Sequence, residues 1–110
     1  MSEDNIAVVH EPERSRFVLR DGAAEIGEER YLDAAGERIL FHTLVSEDYG
    51  GQGLASRLVQ QVVEETIAAG LAVVPVCPYV QAWLPRHPEY AAHVVQPTTE
   101  HRALLRQHHA

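Results

Sequence analysis

Two rhythms of hydrophobic and polar residues divide the chain near position 50. Before it, apolar residues come in short runs or alternate with polar ones, the pattern of extended backbone. Residues 6–9 and 16–20 are β-branched or aromatic runs on either side of a charged turn with Pro12, and they predict two strands. Asp21-Gly22 marks a tight turn. Residues 24–32 and 38–45 predict two more strands, joined by the short loop Asp33-Ala34-Ala35-Gly36-Glu37. In the last strand, simple alternation puts Ile39, Phe41, Thr43 and Val45 on one side and Leu40, His42 and Leu44 on the other. Both sets are largely apolar, which predicts a central strand covered on both faces. The first half reads as an antiparallel meander.

Beyond position 53 the apolar residues recur at helical spacing. Leu54, Leu58 and Val62 form one row, Ala55, Val59, Val63 and Ile67 the next, and Arg57, Gln60, Gln61, Glu64 and Glu65 take the opposite side. This amphipathic helix ends at Gly70, a common C-terminal stop. Residues 71–77, Leu-Ala-Val-Val-Pro-Val-Cys, then read as a buried strand. Strand, helix and strand at this spacing make a crossover, so the last strand is expected to lie parallel in the same sheet. Pro75 has no N–H for a ladder, and pairing is expected to be interrupted on the side its nitrogen faces. Pro78 opens a short helix to Leu84 that Pro85 stops, and Pro88 and Glu89 open another to about Val95. From Gln96 onward the chain is polar, with a weak Ala103-Leu104-Leu105 cluster and the histidines His101, His108 and His109, and it reads as a loosely attached tail. The predicted class is α/β (α+β), with one domain over residues 1–95 and a polar C-terminal tail over residues 96–110.

At 110 residues a single domain is expected, and 45% apolar content excludes wholesale disorder. The longest apolar run is far too short to span a membrane. The amino terminus is acidic with no apolar stretch behind it, so a cytoplasmic location without a secretory signal is expected. A single cysteine, Cys77, excludes an internal disulfide framework and a cysteine-based metal centre, and no metal is predicted. All nine basic residues are arginine, and the first 48 residues carry the whole net charge of −7. Such an acidic half repels phosphate backbones and anionic lipid, which argues against nucleic-acid and membrane partners, and it would attract a cationic amine.

Between the central strand and the long helix stands Glu47-Asp48-Tyr49-Gly50-Gly51-Gln52-Gly53-Leu54-Ala55. Three glycines in four residues let the backbone turn tightly and approach a ligand closely. The helix starts at once, so its unpaired N–H groups and positive dipole end face this loop and suit a phosphate. Arg57, one turn further, would add a charged donor. The glycine spacing differs from the dinucleotide fingerprint, and without lysine the loop is not a P-loop.

With these residues in place the sequence resembles the GCN5-related N-acetyltransferases, and more narrowly their minimal single-domain branch, often labelled YjdJ-type. The resemblance is carried by His42-Thr43, Gly51-Gln52-Gly53-Leu54-Ala55, Pro75-Val76-Cys77 with Pro78-Tyr79, and His87-Pro88-Glu89-Tyr90, over about residues 5 to 95. Two positions depart from the family pattern: Asp48 stands where the wider signature has glutamine or arginine, and Gly50 where the branch usually has arginine. The resemblance implies a GNAT-like fold with two splayed parallel strands, and acetyl-CoA or CoA held between them. It implies cofactor contacts from Val45, Gly50, Gly51, Gln52, Gly53, Leu54, Ala55, Arg57, Cys77 and Pro78. It also implies transfer of the acetyl group to a primary amine, a small molecule or a lysine side chain, by direct attack on the thioester. The alternative is a non-catalytic acyl-CoA-binding module. A thiol hydrolase using Cys77 and His42 would leave the loop unexplained.

His42 and Cys77 are the candidate catalytic pair. Imidazole titrates at about 6.5, which suits a general base at neutral pH, and the competing reading is a histidine satisfied beneath a helix. Cys77 could donate a proton to the CoA sulfur, accept the acetyl group as a thiolate, or simply pack in the core. Tyr79 and Tyr90 are reserve proton donors, and Trp83 reads as core. A monomer or weak homodimer is expected.

Overall fold

The computed structural model describes residues 5–109, and the side chain of His109 and the acidic amino-terminal residues 1–4 lie outside the described residues. Five strands form one sheet in sequence order: β1 (Ile6–Glu11), β2 (Arg16–Asp21), β3 (Ala24–Ala34), β4 (Glu37–Val45) and β5 (Ala72–Pro75). The first four are antiparallel neighbours, and β5 lies parallel to β4 after the crossover through α1 (Leu54–Ala68). Then come α2 (Pro78–Trp83), two short 3₁₀ turns at Leu84–Arg86 and Pro88–His93, and α3 (Thr99–His109). Leu58, Val59, Val62 and Val63 of α1 are fully buried and pack with Phe17, Leu19 and Leu40 of the sheet and with Trp83 of α2. None of the helices among the described residues is long and apolar enough to cross a membrane.

Alternation along β4 is broken by a bulge. Arg30 pairs with His42 and Tyr31 with Leu40, so Phe41 is an extra residue. The insertion reverses the side-chain order. Leu40 and Thr43 share the face turned to α1, whereas Ile39 turns to the other face with Val74 and Leu105. Ile39 and Leu40 are both fully buried, but beyond the bulge the His42 side chain is 46% exposed and Leu44 54% exposed. The expected cover on both faces therefore holds only for the first half of the strand.

Pairing is interrupted on the side of the Pro75 nitrogen, as expected, but that side is not the one facing β4. The N–H groups of Ala72 and Val76 donate to Gly36, just before β4, and to Leu40 within it. By alternation the Pro75 nitrogen faces the outer edge, where the only strand pairing among the described residues is a bridge from Val73 to Val94. The β4–β5 ladder stops at Leu40 and Pro75 for another reason: the Leu40 carbonyl accepts both the Val76 and the Cys77 N–H, at 3.0 and 2.9 Å.

The expected loose tail is an ordered helix. Thr98 and His101 cap its start reciprocally, the Thr98 hydroxyl accepting from the His101 N–H and the imidazole Nδ1 from the Thr98 N–H. His101 Nε2 also meets Glu37 Oε1 at 2.7 Å. Leu105 closes over Ile39 and Val74, apolar surface of β4 and β5 that α1 leaves open. Truncating Leu105→Ala should cost about 2 kcal/mol in urea unfolding, whereas a detached tail predicts less than about 0.5 kcal/mol.

Candidate functional site

The loop after β4 is held at both ends. Ser46 donates its N–H to Ile26, and its hydroxyl caps the 3₁₀ turn Glu47–Tyr49. The Tyr49 hydroxyl donates to Asp21 at 2.6 Å, tying the turn to the end of β2. Gly51 and Gly53 then adopt left-handed conformations, with φ of +79° and +72°. Gly53 is the N-cap of α1 and brings no side chain to its orphan amides. A Cβ built on either glycine meets no atom within 4 Å. The two glycines thus border open space beside the start of a fifteen-residue helix that no side chain caps.

That space is a groove of about 410 Å³. Of the predicted cofactor residues, Val45, Gly50, Gly51, Gly53, Leu54 and Ala55 line it, and Tyr79 reaches it from α2. Gln52 is exposed outside the lining. Arg57 turns away, donating to the Ile6 carbonyl at 3.1 Å, so it braces β1 against α1. Cys77 and Pro78 start α2 and are not part of the lining. Trp83 is buried as expected, and its indole N–H donates to Ser56 at 2.8 Å, locking α2 to the first turn of α1. Tyr90 gives its hydroxyl to Glu64 on the outer side of α1. A larger hollow of about 530 Å³ lies along Pro75, Leu84, Val94 and Arg102, and none of the predicted site residues lines it.

His42 and Cys77 are not brought together. His42 stands on the open face of the sheet, 3.7 Å from Glu28 Oε2. Cys77 is buried on the α1 side, with its sulfur 2.9 Å from the Thr43 hydroxyl. Thr43 in turn hydrogen-bonds Glu29 across the β3–β4 pair. Glu29 is fully buried, and its Oε2 has no hydrogen-bond partner among the described residues. Burial pushes its carboxyl up to about 8, with the Thr43 hydroxyl and the His42 peptide N–H pulling the other way and Glu28 adding like charge. Sequence reading missed Glu29. The signal was a carboxylate at an inward position of β3, two residues from the buried Tyr31.

A family model described as GCN5-related N-acetyl-transferase matches residues 16–94. The chain belongs to this family. Among solved structures, its fold matches the solution structure of a GCN5-like protein from Staphylococcus aureus, with a TM-score of 0.66 and 24% identity. The match covers 92% of this chain and 97% of the other. No curated protein matches the chain.

Folded Glu29 holds its proton more tightly than the unfolded residue, whose ordinary value is 4.5. Its contribution to stability is therefore complete below that value and lost as pH rises through about 8. Glu29→Gln removes the loss. The melting temperature of the variant relative to wild type should climb between about pH 5 and about pH 9, and a constant difference would contradict the buried proton.

Proposed function

We propose that the chain is an acetyl-CoA-dependent N-acetyltransferase acting on a cationic amine. The observation that carries this reading is the α1 N-terminus, with no side-chain cap, beside two left-handed glycines that line a groove of about 410 Å³. Acetyl-CoA would supply the activated acetyl group. The chain's own part is to hold the diphosphate on the backbone amides of residues 51–55 and to position the thioester where β4 and β5 part, with Val45, Cys77 and Pro78 as its neighbours. Gln52 and Arg57 stand at the edge of this contact set.

His42 is the group proposed to take the proton from the amine. It faces solvent beside Glu28, on a surface that also carries Glu11 and Glu25, which neutralise Arg16. Glu28 also bonds Arg16 and lies 3.9 Å from Arg30, the residue opposite His42, so an amine approaching this face meets paired charges of both signs. His42→Ala should lower turnover and remove the pH dependence near neutrality, and an unchanged pH–rate profile would return His42 to a structural role.

One observation favours the acyl-CoA-binding module as the second reading. The loop turn carries Glu47 and Asp48, and Arg57 is committed to Ile6, so the groove holds no cation of its own. The two readings differ in turnover: both predict a rise in melting temperature with CoA, and only the enzyme releases CoA when an amine is added.

The groove is tested with a matched pair of variants. Gly53→Val and Gly70→Val each place a β-branched residue at positive φ with open space around the new Cβ, so each should cost about 1–2 kcal/mol. Gly53→Val alone should abolish the CoA-dependent stabilisation, which for wild type is about 2.7 kcal/mol at a hundred times the dissociation constant. No stabilisation of wild type at millimolar CoA would sink the proposal.

A further inference from the structure

We propose that Glu29, acting through Thr43 and Cys77, is the reservoir that returns a proton to the sulfur leaving the thioester. The inference rests on the acetyltransferase reading above and adds a source for the proton that the leaving sulfur takes up. When an amine attacks the acetyl carbonyl, the N–C bond forms, the C–S bond breaks, and the electron pair departs with the CoA sulfur. The amine proton goes to His42 on the open face. The thiolate takes up a proton in turn, and in this proposal it comes from the opposite face of the sheet.

Three groups in line can deliver it. Cys77 begins α2 at the point where the β4–β5 ladder stops, Thr43 lies 2.9 Å from its sulfur, and Glu29 is the group behind Thr43. The Thr43–Cys77 contact can run in either direction. The structure has Thr43 donating to Glu29; in the delivering arrangement the protonated carboxyl instead donates to the Thr43 hydroxyl, the hydroxyl to the Cys77 sulfur, and the Cys77 S–H to the departing thiolate. After transfer all three hydrogen bonds point the other way, Glu29 is ionised, and Thr43 donates to it. Glu29 gives one proton and His42 gains one, and exchange with water restores both.

Two features of Glu29 suit a reservoir rather than an ordinary buried ion pair. It is fully buried, yet no arginine is bonded to it. The charged group acting on it is Glu28, on its own strand, and the other groups are Thr43 and the His42 peptide N–H on β4, with Phe17 as its neighbour on β2. Its second oxygen has no partner among the described residues, which penalises the carboxylate and favours the acid. The carboxyl is therefore still protonated at neutral pH, holding at about 8. Cys77 is the chain's only cysteine, so its titration can be followed without interference.

The test is carbon NMR of protein labelled at glutamate carboxyl and cysteine β carbons, titrated as wild type, Thr43→Val and Thr43→Ser. The relay predicts that the Glu29 transition, well above the ordinary carboxylate range, also appears in the Cys77 signal. It should vanish from Cys77 in Thr43→Val and persist in Thr43→Ser. A Glu29 transition in the ordinary range, or a Cys77 signal blind to it in wild type, overturns the proposal. Kinetics with acetyl-CoA and a lysine homopolymer supply the functional arm. Wild type and Thr43→Ser should lose kcat above about pH 8, and Glu29→Gln should be slower by about tenfold or more at neutral pH and lack that falling limb. Glu29→Gln turning over like wild type with the same limb refutes the reservoir. Absence of turnover in wild type refutes the acetyltransferase reading instead, and the NMR titration still decides the relay.

Discussion

The carbonyl oxygen of Leu40 accepts the two successive peptide N–H groups that follow β5, and there the parallel ladder stops. Everything specific to the candidate site follows from that interruption. One residue later the Phe41 bulge turns Thr43 and Val45 toward α1 and leaves His42 and Leu44 on the open face. Beyond it β4 runs into the glycine loop, and the chain after β5 starts α2 at Pro78, so the first turns of two helices border the same gap. A continuous ladder would pair this stretch of backbone and leave no opening for a ligand.

The interruption also separates charge by face. On the α1 side a buried carboxyl, a hydroxyl and a thiol form a line with no cation nearby. On the other side His42 sits among partly exposed carboxylates and the Arg16 cluster. Adjacent residues, His42 and Thr43, thus belong to different proton environments separated by the thickness of the sheet. Where a group accepts a proton from one side and another supplies a proton from the other, neither has to reverse its role within a turnover.

Much of this was legible in the sequence because it depends on local periodicity. The four-strand meander, the amphipathic helix from Leu54, the crossover and the glycines before the helix all follow from residue spacing, and the structure places them as spaced. What was hidden depends on pairing between distant residues. Alternation could not reveal the Phe41 bulge, because an extra residue shows only against the partner strand. The weak Leu104-Leu105 signal of α3 gained its meaning from apolar surface on Ile39 and Val74, far upstream of it in the sequence. Arg57 looked available to a phosphate until β1 was packed beside it, and Glu29 looked like one more surface acid in an acidic stretch.

Backbone amides at the glycine bend are proposed to hold CoA, and amide chemical shifts read that directly. Adding CoA to nitrogen-labelled protein should move the N–H signals of Gly51, Gly53, Leu54 and Ala55 together, with smaller changes at Val45 and Cys77. Signals that stay in place at millimolar CoA, or that move only around Leu84, Val94 and Arg102 in the larger hollow, would contradict the account.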